Sequence, residues 1–368
     1  MSTKKHSINI SNNYFMQLAY NQARKALGNT GENPAVGCVV VKNNILLSLA
    51  HTGKNGIPHA EKATLSLKKT NFNNSTLYST LEPCSHHGKT PPCTDLILKK
   101  KIKRLYFSKL DPDSRSYNKA KKILEKKGIN VNFNILKSYG SNFYKYFYIR
   151  KKTNNIFISS KLATSKDLFT SNKSKKWLTN NYSRKRVHLL RANHDSILTT
   201  STTILKDNSI LDCRIEGLEK YSPIKFVLDK NLLVPLSANL FKSSNKVKTF
   251  VFYNKYNKKK LIKLKKLGVK AIKIPIKYNH LDFEEIITFV KKQGLSRLFI
   301  EAGIKFNKFL IENKYINVFY HFFSNDLIRN LGFNNGKILL KKINKTKIKK
   351  TKIKVNLLND HLIEYKIK

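Results

Sequence analysis

The sequence predicts an α/β protein built of two domains, and three observations carry this. The chain has 368 residues, too long for one ordinary small domain. Short apolar runs of strand character alternate with segments of helical periodicity along most of it. The alternation comes in two series that do not repeat each other, so the halves are different domains rather than a duplication. The boundary is expected near residue 150, giving domains 1–150 and 151–368.

In the first series, Asn12 to Leu27 places Tyr14, Phe15, Leu18, Ala19, Gln22 and Ala26 at helical spacing, and Gly28 stops the helix. Ala35 to Val41 is a continuous apolar run suited to a buried strand, joined by a Lys42-Asn43-Asn44 turn to Ile45–Ala50. Helices are expected at His59–Lys69, Cys93–Lys100 and Tyr117–Lys127, and strands at Thr76–Thr80, Lys103–Ser108 and Val131–Ile135. An aromatic-rich helix, Tyr139–Arg150, closes the unit, and Lys151 to Asn155 reads as a linker.

The second series has expected strands at Ile156–Leu162, His194–Thr199, Ile224–Leu228, Thr249–Tyr253, Val269–Ile274, Arg297–Glu301 and Val318–Phe323. Helices are expected at Asn180–Arg191, Lys258–Leu267, Phe283–Lys292 and Ile304–Asn313. From Lys337 onward the tail reads as closing strands. Its densest basic run, Lys341 to Lys354, alternates Lys with Ile and Thr, as a strand with one solvated face does and as a phosphate patch can.

Lysine and arginine number 72 against 22 carboxylates, a formal charge of +50. Clustered cations would point to nucleic acid, but clustering rather than total makes a binding face. Here lysines run from Lys4 to Lys368 among abundant Asn and Ile, all residues with AT-rich codons, so the charge reads as compositional drift. No apolar stretch approaches the roughly 20 residues that span a bilayer, and MSTKKHSINISNNYF has no secretory pattern. A cytoplasmic setting is expected, in which Cys38, Cys84, Cys93 and Cys213 serve as thiols or metal ligands rather than disulfides.

The chemistry concentrates in Pro58-His59-Ala60-Glu61, Glu82-Pro83-Cys84 and Pro92-Cys93. One imidazole and two thiolates supply three zinc ligands and leave a fourth position for water, the pattern of a catalytic rather than a structural ion. Such an ion acidifies its water toward a pKa of about 7. Glu61, two residues past His59 at the start of a helix, puts a carboxylate beside the ion without ligating it, suited to proton transfer. This H-x-E plus P-C pattern is that of zinc nucleobase deaminases. Both cysteines follow a proline and are expected to start helices, where the dipole favours thiolate. A structural zinc with a fourth ligand from His51, His86 or His87 is the alternative. Eight residues separate the cysteines, and His86, His87, Gly88 and Lys89 among them offer donors to phosphate or ribose. Asn33-Pro34-Ala35-Val36-Gly37 can bring an amide to a base edge.

In this order the strings resemble the bifunctional riboflavin-biosynthesis deaminase–reductases, and the run from Thr80 to Cys93 is the most specific part. Ser160 to Asp167, Trp177-Leu178-Thr179, Leu189 to Ala192, Ser196 to Thr199, Thr203 to Asp207, Asp229 with Pro235, and Glu301-Ala302-Gly303 extend the resemblance through the second half. It implies a cytidine-deaminase-like three-layer α/β/α domain followed by a dihydrofolate-reductase-like α/β domain that uses NADPH. The implied substrate is 2,5-diamino-6-ribosylamino-4(3H)-pyrimidinone 5′-phosphate, deaminated and then reduced from ribosyl to ribityl. Zn2+ falls on His59, Cys84 and Cys93, and the proton shuttle on Glu61. NADPH contacts are implied at Ala163, Trp177, Thr203, Asp207 and from Gly303, which opens a helix. Substrate contacts are implied at Lys175, Arg191, Leu211, Arg214 and Glu301, with Arg191 and Arg214 suited to clamp the 5′-phosphate. Lys161 and Asp207 are candidates to protonate the opening ribose. Relatives of this kind assemble, so a homo-oligomer is implied.

The second half departs from the family pattern. Asp167-Leu168 replaces an Asp-Gly, Asp207-Asn208-Ser209 replaces Asp-Asp-Pro, Lys175 replaces a small polar residue, and Lys230 and Leu233 replace Ser and Arg. The deaminase strings show no such wear. A working deaminase with a weakened reductase is therefore the second reading, and a tRNA-type deaminase, disfavoured by the cysteine spacing, the third.

Overall fold

The computed structural model describes residues 11–88, 90–173, 177–345 and 348–367. It divides into two units, one ending at Asn155 and the other beginning at Ile156.

In the first unit, α1 (Asn12–Ala26) is capped by the Ser11 hydroxyl, which accepts from the Tyr14 N–H. There follow β1 (Gly37–Lys42), β2 (Ile45–His51), α2 (Ala60–Leu65), β3 (Thr76–Leu81), α3 (Cys93–Lys99), β4 (Arg104–Lys109), α4 (Ala120–Glu125) and β5 (Asn130–Phe133). The sheet order is β2-β1-β3-β4-β5, with β1 antiparallel to both neighbours and β3, β4 and β5 parallel. Successive side chains face opposite layers. A Cβ on Gly37 would lie against the backbone of α1, and Thr80 bonds Tyr144 on the same side. Cys38 and its cross-strand partner Ser79 face Glu61 of α2 instead. Helices therefore cover both faces, in three layers.

The expected single helix Tyr139–Arg150 is two, α5 (Lys137–Phe143) and α6 (Lys145–Thr153), broken at Tyr144. Tyr144 is fully buried, and its hydroxyl meets Thr80 and the Ala35 carbonyl, so the chain turns where that side chain is pulled inward. The expected linker is overturned for three of its residues, because α6 runs on to Thr153.

Gly37 is a packing glycine. An added Cβ would stand 1.9 Å from the Ala19 carbonyl oxygen and 2.5 Å from the Ala23 nitrogen. Backbone cannot yield as a side chain does. Gly37→Ala should destabilise the first unit by about 2–3 kcal/mol, seen as a fall of roughly 5–10 °C in its calorimetric Tm.

The second unit runs β6 (Phe157–Thr164), β7 (Phe169–Asn172), α7 (Asn181–Ala192), β8 (Ser196–Thr200), α8 (Ser201–Asp207), β9 (Ile224–Leu228), β10 (Thr249–Tyr253), α9 (Lys258–Lys266), β11 (Val269–Lys273), β12 (Ile276–Lys277), β13 (His280–Leu281), α10 (Phe283–Lys292), β14 (Arg297–Glu301), α11 (Ile304–Glu312), β15 (Val318–Phe323), β16 (Gly332–Asn335), α12 (Lys337–Lys345), β17 (Lys349–Lys352) and β18 (His361–Lys366). Its main sheet has the order β11-β10-β9-β8-β14-β6-β15-β18-β17. The first seven strands are parallel; β18 and β17 are antiparallel additions.

A parallel sheet with helices on both faces explains the unbroken apolar runs. Phe226, Phe250, Phe252, Leu298 and Ile300 pack under α10, α11 and α12. The alternating residues Val227, Val251 and Phe299 pack under α7, α8 and α9. The expectation of strands from Lys337 onward is wrong for the first nine residues. Leu339, Leu340 and Ile343 repeat at helical spacing and all three are buried, so the segment is α12, and among the described residues of the basic run only Lys349–Lys352 is a strand. At Leu168, where the resemblance implies a glycine, the backbone has a left-handed φ of 70°. Asp167 holds the turn by accepting from Ser165 and from the Ile328 and Arg329 amides.

Candidate functional site

The candidate metal centre assembles from three elements. His59 is the N-cap of α2, Cys93 the first residue of α3, and Cys84 lies in the irregular segment after β3. The expectation that Cys84 also starts a helix is overturned, because the chain from Glu82 must bridge to α3. The helix end still acts on it: the Cys93 N–H donates to Cys84 Sγ at 3.3 Å. Glu82 anchors the bridge, its carboxylate accepting from the Asp111, Asn118 and Ala120 amides.

His59 Nδ1 stands 3.5 Å from Cys84 Sγ and 3.4 Å from Cys93 Sγ, and all three ligand atoms lie within 4.8 Å of one another. Ligands at zinc distances around a tetrahedral ion are about 3.5 Å apart, so the donor set and its spacing fit zinc. A hydrogen bond from Cys93, then one from His59, draws the Cys84 thiol down to about 4, while Cys93 is held high. Glu61 is buried behind the ligands, with Oε2 3.6 Å from Cys93 Sγ and Oε1 3.5 Å from Ser79 Oγ. Ser79 makes its shorter bond, 2.8 Å, to the Leu81 carbonyl. Burial, reinforced by the Cys84 thiolate, raises the Glu61 pKa. Asn33 is fixed by Gly56, whose φ of 85° lets its backbone lie against the amide. His86 bonds Ser116 at 2.9 Å, and His87 is exposed. Lys89 lies outside the described residues.

In the second unit, Lys161 of β6 stands in register with Glu301, the last residue of β14, and their side-chain charges are 3.5 Å apart. Ligands of open α/β sheets bind at the carboxyl ends of the strands. Arg191 grips Glu301 with Nε at 2.6 Å and Nη2 at 3.1 Å and gives Nη1 to the Asp212 carbonyl at 2.9 Å. Burial pushes the Glu301 carboxyl up, but Arg191 and Lys161 outweigh it and bring it to about 2. Of the two arginines expected to clamp a phosphate, Arg191 is thus the buried, paired one and Arg214 the exposed one.

Gly303 caps the nine-residue α11 without a side-chain bond, and a Cβ there would meet nothing within 4 Å. That open, uncapped helix start fits a cofactor phosphate. Trp177 is exposed, with the Arg184 guanidinium 5.2 Å from its ring centre, and walls a cavity of about 290 Å³ with Asn180, Asp326 and Asp360. Ala163 is half-buried on β6, Thr203 bonds the Thr200 cap of α8, and Asp207 ends that helix. Leu211 is buried in the core at a left-handed φ of 63°, so its side chain is not presented to a ligand. Lys175 lies outside the described residues.

Two family models match. That for the RibD C-terminal domain covers residues 157–355, and that for the cytidine and deoxycytidylate deaminase zinc-binding region covers 10–109. The riboflavin biosynthesis protein RibD of Aquifex aeolicus is 33% identical over 97% of this chain and 98% of its own. The Escherichia coli RibD is 30% identical over 79% of this chain and 81% of its own. The crystal structure of the Thermotoga maritima diaminohydroxyphosphoribosylaminopyrimidine deaminase/5-amino-6-(5-phosphoribosylamino)uracil reductase superposes with a TM-score of 0.81 at 26% identity, covering 96% of this chain and 98% of that one.

The chain belongs to the RibD family. As a RibD enzyme of riboflavin biosynthesis it joins a zinc-binding deaminase domain to an NADPH-using reductase domain, a hydrolase and an oxidoreductase in one chain acting on a small molecule. No helix among the described residues is long and apolar enough to cross a membrane.

Sequence reading of this RibD chain missed His188 and Asp212 in the reductase site and Glu82 in the deaminase. Helical spacing does place His188 one turn before Arg191. For Asp212 and Glu82 the contribution is a backbone carbonyl in one case and acceptance from three amides in the other, and neither leaves a pattern in the sequence.

Proposed function

We propose that His59, Cys84 and Cys93 hold the zinc of the deaminase site and that Glu61 moves its protons. The observation that carries this is the convergence of three donor atoms beside a buried, unligated carboxylate. Bound zinc supplies an acidified water for attack on the amine-bearing carbon. Glu61 passes one proton of the water to the ring nitrogen and the second, from the newly formed C–OH, to the departing ammonia. Asn33, held by Gly56, offers its amide to the base edge, and the His86–His87 segment faces the ribose phosphate.

In the reductase unit NADPH supplies the hydride. The α11 start at Gly303 receives cofactor phosphate, and Ala163, Trp177, Thr203 and Asp207 complete that side. Glu301 fixes Lys161, whose ammonium donates to the opening ribose oxygen, and Arg214 takes the substrate phosphate. Lys175 and the Leu211 backbone complete the substrate contacts. The substrate is 2,5-diamino-6-ribosylamino-4(3H)-pyrimidinone 5′-phosphate, a reading supported by the deaminase/reductase for which the Thermotoga relative is named. The deaminase is assigned to the unit ending at Asn155 and the reductase to the unit after it. The four free cysteines suit a cytoplasmic setting, and assembly with like chains is part of the same reading. Nucleic acid is not, because exposed lysines occur on both units, as at Lys122 and Lys259.

Incubating the full chain with this nucleotide should yield ammonia and the uracil product without NADPH, and the ribityl product only with it. A zinc chelator should stop the first reaction and spare reduction of supplied uracil nucleotide. Reduction absent under all conditions would favour the deaminase-only reading, and ammonia release that survives chelation would reject the zinc assignment.

A further inference from the structure

We propose that His188 is the positioning residue that aims Arg214 at the substrate phosphate, an inference that rests on Arg214 receiving that phosphate. His188 lies on α7 one turn before Arg191, on the face turned toward the segment 212–214. From there it holds three points of that segment. Nδ1 is 3.0 Å from the Asp212 carbonyl and 3.1 Å from the Arg214 backbone N–H, and Nε2 is 3.4 Å from Arg214 Nη2.

Arg191 is the less available of the two arginines, because it is buried and Glu301 and the Asp212 carbonyl already receive one N–H each from its Nε, Nη2 and Nη1. Arg214 differs. Its side chain is 55% exposed, and its Nε is 3.3 Å from Asp212 Oδ1, an ion pair not aligned as a hydrogen bond. An exposed arginine held this loosely has many rotamers to lose on clamping an anion, and a fixed partner reduces that loss.

The neutral ring is the form that does this. With the proton on Nδ1, the ring donates to the Asp212 carbonyl and Nε2 accepts from Arg214 Nη2. With the proton on Nε2, Nδ1 accepts from the Arg214 backbone. Either tautomer accepts from Arg214; an imidazolium accepts from nothing. The charged groups around the ring are Arg191 on its own helix, Asp212 and Arg214 on the facing segment, Glu301 on β14 and, beyond Glu301, Lys161 on β6. Burial first, then the two arginines, lowers the His188 pKa from its ordinary value, against the Asp212 carbonyl and Glu301.

The test is steady-state reduction by the full chain at saturating NADPH, with the uracil nucleotide and with its dephosphorylated riboside. His188→Ala should raise KM for the nucleotide about tenfold, with kcat within about twofold and KM for the riboside unmoved. His188→Gln, whose amide oxygen reaches the Nε2 position, should recover most of the loss. Arg214→Ala should raise the same KM, and the double variant should be no worse than Arg214→Ala alone. A loss shared equally by nucleotide and riboside, a fall in kcat with KM unchanged, or independent multiplication of the two effects would overturn the His188 role. If Arg214→Ala failed to distinguish nucleotide from riboside, the phosphate reading itself would fall. NADPH affinity checks folding of each variant. Should the alanine variant lose it, His188→Gln and His188→Asn decide the matter, since only the glutamine is long enough to place an acceptor at the Arg214 guanidinium.

Discussion

Glu61→Gln should lower deaminase kcat about a thousandfold while the protein keeps one zinc per chain. The substitution removes the charge and the proton-carrying capacity but preserves the shape of the side chain. Glu61 ligates nothing in the assigned site, so His59, Cys84 and Cys93 should bind the ion as before. NADPH-dependent reduction of the uracil nucleotide should continue. Ammonia release and elemental analysis on the same preparation read both quantities. Activity retained with full metal would remove Glu61 from the mechanism; metal lost with activity would make it a ligand.

Arg191→Ala should destabilise the reductase unit by about 3–5 kcal/mol, because it leaves a buried carboxylate without its bidentate partner. Glu301 is 6% exposed, and among the described residues Lys161, at 3.5 Å, is the ion-pair partner that would remain. The pH dependence has a definite sign. In the wild-type protein Glu301 titrates near 2, below its unfolded value of about 4.3. Its contribution is fully present above the unfolded value and fades as pH falls from about 4.3 toward 2. In the variant burial dominates and the carboxyl rises, so mild acidification should narrow the deficit rather than widen it. The chain has a single tryptophan, Trp177, and it lies in this unit, so urea titrations followed by its fluorescence report the correct half. A loss under about 1 kcal/mol would show the pair to be exchangeable with solvent.

Much of the fold was legible because the period of apolar residues is a local property. Ile224–Leu228, Thr249–Tyr253, Phe283–Lys292, Arg297–Glu301 and Val318–Phe323 have the bounds expected from sequence. Reading failed where local pattern was ambiguous. Lysine and isoleucine between Lys337 and Lys345 match strand and helix alike until Leu339, Leu340 and Ile343 are seen to pack under the sheet. The short pair β7 and β16 joins residues too far apart in sequence for a turn signal to announce it.

The metal site was readable for a different reason. Zinc chemistry restricts the donors to few residue types, and His59, Glu61, Cys84 and Cys93 stand close enough in sequence to appear as motifs. In the reductase unit the sequence supplied the participants but not their pairing. Arg191 and Glu301 are 110 residues apart, and nothing local states that one neutralises the other. By itself the sequence determined the alternation of elements, the two-part plan and the candidate metal donors, since each depends on residue type and short-range spacing. Only the tertiary structure decided that Arg191 is spent on Glu301, that His188 faces Arg214, and that Cys84 receives its stabilising N–H from a helix it does not belong to. Charge compensation and hydrogen bonding depend on distance in space, and folding sets that distance.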